Sequence, residues 1–188
     1  YLYLENGKAH TGESGCIECG HCYAICPQGA VSMTNYDCSE EKTVPMSELD
    51  STALLQAIRS RRTIRQFTKK QVEQEKIDQI LEAGRYSPTG ANAQNVAFTI
   101  LGSKQNDAEA ICVDLFRKGK NMEIMADSLG LGVLYSGFFV VCTKLSVKLR
   151  KLLRLPKGHK VVSCIIIGYP AVKYQRIVPR KEVNARTL

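Results

Sequence analysis

The sequence predicts a two-part α+β protein, with a short cysteine-rich head followed by a larger domain of helices and sheet. Three observations carry this reading. Cys16, Cys19, Cys22 and Cys26-Pro27 form the run C-x2-C-x2-C-x3-C-P inside a glycine-rich stretch with little helical periodicity. Apolar residues at helical spacing begin only after Ser47. Residues 161–169 form a continuous apolar, β-branched run, the pattern of a strand buried on both faces. At 188 residues, 44% apolar and 23% charged, the chain can bury a sizeable core, which excludes wholesale disorder.

Composition divides the chain into a head over 1–35, a polar linker over 36–46 ending in Val44-Pro45, and a main domain over 47–188. In the main domain, Ser47 and Asp50 sit three apart like a capping box with Asp in place of Glu. Leu54, Leu55 and Ile58 then mark one face of a helix ending near Arg59. A second helix is predicted over 73–84 from Ile77, Ile80, Leu81 and Gly84, and Ser87-Pro88-Thr89-Gly90 breaks it. A short strand follows over 96–101, then helices over 107–117 and 122–129, the latter closed by Gly130. Residues 138–142 fit either a strand or a buried helix. The 161–169 strand is stopped by Pro170.

Lys and Arg number 26 against 18 Asp and Glu, a net charge of +8 that invites an anionic partner. Between Asp127 and Glu182 there are eleven Lys and Arg and no acid. The longest apolar runs, 138–142 and 164–167, fall far short of the ~20 residues that span a membrane, and no signal-peptide order opens the chain. Beginning at Tyr1, the sequence is expected to be a fragment. Cys38, Cys112, Cys142 and Cys164 are scattered, the last three in apolar segments where small core thiols are usual. One crowded thiol loop among scattered single cysteines suits a reducing cytoplasm, with the loop reserved for metal.

The crowded run has the spacing of a bacterial 4Fe–4S ligand set. Cys16, Cys19 and Cys22 lie close enough to wrap one cluster. Cys26 either completes it or ligates a second cluster shared with a run upstream of Tyr1, so one or two clusters are expected. Zinc more often uses two separated cysteine pairs.

Two further patterns stand out. Arg61-Arg62-Thr63-Ile64-Arg65-Gln66-Phe67 gathers three guanidiniums and a hydroxyl that can hold a phosphate, or else form a solvated basic helix end. Ser87-Pro88-Thr89-Gly90-Ala91-Asn92-Ala93-Gln94 is a turn whose amides can read alternating donors and acceptors. With Gly130-Leu131-Gly132-Val133-Leu134-Tyr135-Ser136-Gly137, Gly168-Tyr169-Pro170 and Pro179-Arg180-Lys181, these patterns resemble the nitroreductase family of FMN oxidoreductases. With the cysteine run in front, the chain resembles that family's ferredoxin-fused branch.

The resemblance implies a helix-flanked, mainly antiparallel sheet behind a small ferredoxin-like domain, and a homodimer with FMN at its interface. It places Arg61, Arg62, Thr63 and Arg65 on FMN phosphate and ribityl oxygens, with Arg180 returning to the phosphate. Pro88, Thr89, Gly90 and Asn92 would line the isoalloxazine, and Leu134, Tyr135, Ser136 and Gly137 would cover its other side, where core packing is the alternative for Leu134 and Tyr135. Electrons would pass from cluster to FMN to a small acceptor such as a nitroaromatic or quinone, with ferredoxin or NAD(P)H as donor. No side chain is assigned a catalytic role.

The family's fused members usually carry two cysteine runs and a longer stretch, including a central strand, between the counterparts of Phe116 and Met122. Here a strand has no room to form in that stretch, so residues are expected to be missing and the chain broken there. Two rival functions are an electron-transfer module for a protein partner, and a nucleic-acid-binding iron–sulfur protein using the basic segment 144–160. The second is disfavoured by the lack of interleaved aromatics.

Overall fold

The computed structural model describes residues 2–12, 15–34, 36, 49–94, 96–101, 109–113, 119–155 and 157–175. Two compact units separate: Tyr1–Glu48 with Pro88–Asn95, and Leu49–Ser87 with Val96–Leu188. Most of the expected linker, together with Ser47, Cys38 and Arg180, lies outside the described residues.

In the first unit, β1 (Leu2–Glu5) and β2 (Lys8–Thr11) form an antiparallel hairpin with Leu2 opposite Thr11 and Glu5 opposite Lys8. Asn6 and Gly7 turn it with φ of 52° and 75°, the doubly left-handed turn that matches strand twist. The cysteine stretch holds one short helix, α1 (His21–Ile25). Among the described residues of this unit none is buried.

The second unit is built from α2 (Ser51–Ser60), α3 (Gln74–Arg85), β3 (Phe98–Leu101), β4 (Glu109–Val113), α4 (Gly119–Ser128), β5 (Gly132–Tyr135), α5 (Gly137–Leu145), α6 (Val147–Leu152) and β6 (Ser163–Gly168). The sheet order is β3–β4–β6–β5, and every pairing is antiparallel. This agrees with the expected sheet class.

The core lies where α3 and α4 meet β5 and β6. Ile80, Met122, Ile165 and Ile167 are fully buried there, beside Ile77, Ala126 and Val133. Each such aliphatic side chain contributes roughly 1.5–3 kcal/mol. Gly84 makes the α3–α4 approach possible, since a Cβ there would lie 3.0 Å from both Met122 Sδ and Phe98 Cζ. A smaller cluster of Leu153, Val161 and Cys164 is covered by Phe139, Val140, Leu149 and Leu155.

Several expectations need correction. Asp50 is itself the N-cap of α2, its carboxylate accepting from Thr52 N at 3.3 Å and Ala53 N at 2.8 Å. The helix expected over 107–117 is instead the strand β4, paired on one side with β3 and on the other with β6. A four-residue apolar run, Ala110 to Val113, fits either element locally, and pairing on both sides decides it. A central strand therefore forms upstream of the stretch thought too short for one. The expected break between Arg117 and Met122 falls partly outside the described residues, and Met122 sits inside α4. Residues 138–142 are helical but not buried: in α5 only Thr143 is buried, and Phe138 is 87% exposed. Cys142 is likewise exposed, whereas Cys164 is buried as expected.

Candidate functional site

The basic strip begins where α2 ends. Arg61 caps that helix, its N–H reaching Ala57 O, and the chain then runs beside the sheet. Ile64 N donates to Val133 O at 3.0 Å, Thr68 N to Tyr169 O at 2.8 Å and Ala171 N to Gln66 O at 2.9 Å. Isolated bridges pair Thr63 with Val133 and Phe67 with Pro170. Ile64 is the anchor. It is 7% exposed and sits over Gly132, where a Cβ would come within 2.5 Å of Ile64 Cγ1. With Ile64 turned inward, Thr63 and Arg65 face solvent.

Arg61 points to α4. Its Nη1 lies 2.5 Å from Glu123 Oε2, with both side chains under one-fifth exposed. The ion pair occupies Nη1, while the buried Arg61 Nε has no hydrogen-bond partner among the described residues. The same carboxylate oxygen accepts from Lys120 Nζ at 3.2 Å and Tyr135 Oη at 3.1 Å. Burial, reinforced by Glu123, pushes the Tyr135 phenol well above its ordinary pKa, so it remains a protonated donor. One turn further along α4, burial raises the Asp127 carboxyl, with Arg61 acting against the shift and Glu123 adding to it. Arg62 lies over the Tyr174 ring, 4.7 Å from its centroid.

Tyr135, Ser136 and Gly137 line a cavity of about 520 Å³ with Val140, Lys144, Val162, Ser163 and Cys164. Ser136 caps α5, its Oγ accepting from Phe139 N at 3.4 Å, and its own N–H reaches Cys164 O. Leu134 is half-buried on β5. Arg61, Arg62, Thr63, Arg65 and 134–137 thus lie on adjoining parts of one unit. Sequence reading missed Glu123 and Lys120; the available signal was an acid pair, Glu123 and Asp127, one turn apart on α4.

The remaining candidates belong to the other unit. Pro88 is exposed, and Thr89 Oγ1 accepts from Gln94 N at 3.1 Å. Gly90–Asn92 form a 3-10 turn in which Ala91 and Asn92 take φ of 49° and 51°. Asn92 Nδ2 donates to Glu18 O at 2.6 Å, and Gln94 Nε2 to Tyr36 Oη at 3.0 Å. The turn is therefore tied to the backbone of the cysteine loop.

In that loop, Cys16, Cys19 and Cys22 line a concave space of about 700 Å³ with Leu2, Ile17, Gly20 and Ile25. Cys26 is not among its lining residues. Cys16 Sγ accepts from Glu18 N at 3.4 Å and Cys26 Sγ from Ala30 N at 3.3 Å. Amide donors from Ala30 and Gln28 hold the Cys26 thiol below its ordinary pKa. Among the described residues no three metal-ligating side chains converge on a single-ion site. A cluster spaces its thiolates more widely than one ion does, because each binds a different iron.

Comparison with known proteins agrees with this geometry. The model of the nitroreductase family matches residues 58–118, which begin in α2 and include the basic strip. A Methanothermobacter thermautotrophicus protein whose name proposes an NADH dehydrogenase/NAD(P)H nitroreductase is 26% identical over 149 residues, covering 63% of this chain and 78% of that protein. Among solved structures, a nitroreductase with bound FMN from Bacteroides fragilis aligns with a TM-score of 0.60 at 21% identity, covering 71% of this chain and 98% of that one. A Bacteroides thetaiotaomicron structure whose name proposes the same NADH dehydrogenase/NAD(P)H nitroreductase aligns with a TM-score of 0.57 at 25% identity, covering 70% and 93%. The class is that of the nitroreductase-like flavin oxidoreductases. Its nitroreductase-like fold resides in the sheet, its flanking helices and the strip that crosses its edge.

Proposed function

We propose an FMN-dependent oxidoreductase that passes electrons from one or two 4Fe–4S clusters through FMN to a small acceptor such as a nitroaromatic or quinone. The observation that carries the flavin assignment is Arg61, a largely buried cation paired with Glu123 whose Nε has no hydrogen-bond partner among the described residues. Such a donor is costly until an acceptor reaches it, and a phosphate offers charge-assisted bonds in the required geometry. Arg61, Arg62, Thr63 and Arg65 would hold FMN phosphate and ribityl oxygens, joined by Arg180. Leu134, Tyr135, Ser136 and Gly137 would cover one side of the ring, and Pro88, Thr89, Gly90 and Asn92 would line the isoalloxazine of the partner subunit in the proposed homodimer. Bound FMN supplies the electron and hydride chemistry. The chain's part is to bind and orient: Tyr135 keeps its proton, and the N-terminal end of α5 at Ser136 and Gly137 favours negative charge in the cavity it borders.

The cysteine unit supports the cluster assignment. It has no buried residue of its own among those described, and three of its thiols share a cavity with the half-exposed or more exposed Leu2, Ile17 and Ile25. Units of this size that lack a core are commonly completed by metal or cross-links. Cys16, Cys19 and Cys22 would hold a cluster that supplies one-electron transfer, with Cys26 on the same cluster or a second one. We assign 1–35 to the cluster domain, 36–46 to the linker and 47–188 to the flavin domain. The Asn92–Glu18 hydrogen bond supports a connection between the cysteine loop and the turn placed on the ring.

Phe138, Val141 and Leu145 form an exposed apolar stripe along α5, which supports a homodimer. Ferredoxin or NAD(P)H would be the donor, the latter in keeping with the names of the relatives above. We place the protein in the cytoplasm, in keeping with its free thiols; among the described residues no helix is long and apolar enough to cross a membrane.

Two measurements test the proposal. Purified anaerobically, the protein should show flavin and iron–sulfur absorption that bleaches on reduction, with iron and sulfide in equal amounts. Zinc in place of iron, or no sulfide, would overturn the cluster assignment. Changing Arg61 and Arg65 together to Ala should weaken FMN at least tenfold, since each charge-assisted bond is worth ~1.5–3 kcal/mol. Unchanged affinity in a folded double variant would sink the flavin assignment.

A further inference from the structure

Lys76 has no role in the function above, yet its place on α3 calls for one. It lies one turn before the fully buried Ile80, on the face that α3 turns to the core, where a lysine is uncommon unless paired. Its Nζ donates to Leu129 O at 3.1 Å and to Tyr169 Oη at 2.8 Å, with Glu73 Oε2 3.8 Å away. Tyr169 Oη donates in turn to that same Glu73 oxygen. Both partners of the ammonium stand at attachments of the basic strip. Leu129 follows α4 and opens the turn through Gly130 to β5, and its carbonyl lies beyond the helix's own donors. The strip first attaches at β5, through Thr63 and Ile64 on Val133. It attaches again at Tyr169, whose carbonyl accepts from Thr68 N, and beyond it Pro170 bridges Phe67 and Ala171 N donates to Gln66 O. One ammonium therefore joins the two anchors between which Arg65 is strung. Further back along α4, Glu123 holds Arg61.

We infer that Lys76 is a positioning residue for the phosphate end of the flavin site, holding the β5 turn and the Tyr169 corner at the separation that brings Arg61, Thr63 and Arg65 to one ligand. The inference rests on the flavin reading above and deepens it. A cation that only met the carbonyl end of α4 would need no second partner. This one also takes the phenol of the residue whose backbone carries the strip. The corner is closed from its other side by the strip's own continuation: Lys70 Nζ lies 4.0 Å from the centroid of the Tyr169 ring, and Lys70 N donates to Thr68 Oγ1 at 3.3 Å.

The test titrates the full chain with FMN and with riboflavin, which has the same ring and ribityl chain but no phosphate. The parent should bind FMN more tightly than riboflavin. Lys76→Met, which keeps most of the apolar stem, should reduce that preference by about tenfold, the worth of one charge-assisted bond, while riboflavin affinity changes little. Lys76→Arg keeps the charge and its donors and should restore the preference. Tyr169→Phe loses only the hydroxyl and should move the preference the same way, so it decides the matter if Lys76→Met does not fold. A role in stability alone would weaken both flavins alike, or lower the urea midpoint with neither affinity changed, and either result would overturn the inference. A preference for FMN that the parent shows and both Lys76→Met and Tyr169→Phe keep would overturn this inference and leave the flavin reading standing. A parent without any preference for FMN would overturn the flavin reading, and this inference with it.

Discussion

The two units reach order by different means. The sheet unit buries Ile80, Met122, Ile165 and Ile167 completely and closes its helices over them. The cysteine unit buries none of its described residues, and leaves Leu4 and Ile25 about four-fifths exposed. Apolar burial stabilises the first from within. The described part of the second has turns and hydrogen bonds in place but little to hold them against chain entropy, which is what the proposed cluster would supply. A chain with both kinds of unit should lose them separately.

The largest expected effect follows directly. Removing the metal with a chelator, or changing Cys19 to Ala, should abolish amide protection across the β1–β2 hairpin and α1 while the sheet unit keeps its protection. Hydrogen exchange read by mass spectrometry distinguishes the two, and a hairpin that stays protected in metal-free protein would break the comparison. Cys26→Ala sharpens it. Complete loss of iron would place Cys26 on the only cluster, whereas partial loss with one cluster remaining would place it on a second.

Next in size is Gly132→Ala. The new methyl group would fall within 2.5 Å of Ile64 Cγ1, and overpacking of that kind costs about 1–3 kcal/mol. Urea unfolding should show the loss in the sheet unit alone, and FMN affinity should fall because Ile64 carries the basic strip. Adding Ile64→Ala should restore part of both. A variant as stable as the parent would show that the strip is not anchored at this notch.

Glu123→Gln is a smaller perturbation. It leaves the Arg61 cation without its counter-charge, costing up to about 3 kcal/mol in cofactor-free protein. Phosphate then has no carboxylate to compete with, so the rise in melting temperature on adding FMN should exceed that of the parent. An equal or smaller rise would mean that Glu123 and the phosphate do not share Arg61.

The smallest effect is in acid. Glu73 bonds Tyr169 and Lys70, which lower its pKa from 4.5 to about 2. A carboxyl whose folded pKa is depressed contributes stability that is full above pH 4.5 and lost as pH falls toward 2. The group is exposed, so the contribution is modest. Glu73→Gln should narrow the difference in urea midpoint between pH 6 and pH 3, and an unchanged difference would remove the contact from the stability of this unit.

Periodicity made α3, α4 and β6 legible, because Ile77 and Ile80 or the 161–169 run bury the same way in almost any packing. Ala110 to Val113 was not legible. Its run is short enough for a strand or a buried helical turn, and only the slot between β3 and β6 selects the strand. The hairpin was not read, although Asn6-Gly7 is a turn signal, because its strands carry no buried face to strengthen the pattern. In the site, the Arg61–Arg65 clustering could be read directly, whereas Tyr135, Ser136 and Gly137 entered only through the family resemblance. Glu123 could not be read, since its position opposite Arg61 depends on how α4 packs against the end of α2.

The strip that carries the arginines also shields the outer side of β5. Thr63 bridges Val133 there, and Phe67 bridges Pro170 just past the end of β6. An exposed strand edge is a template for pairing with another chain. Whatever holds Arg61 and its neighbours in place therefore also protects the sheet against edge-to-edge aggregation. Cells producing this protein short of the proposed flavin would then be expected to accumulate it as insoluble material.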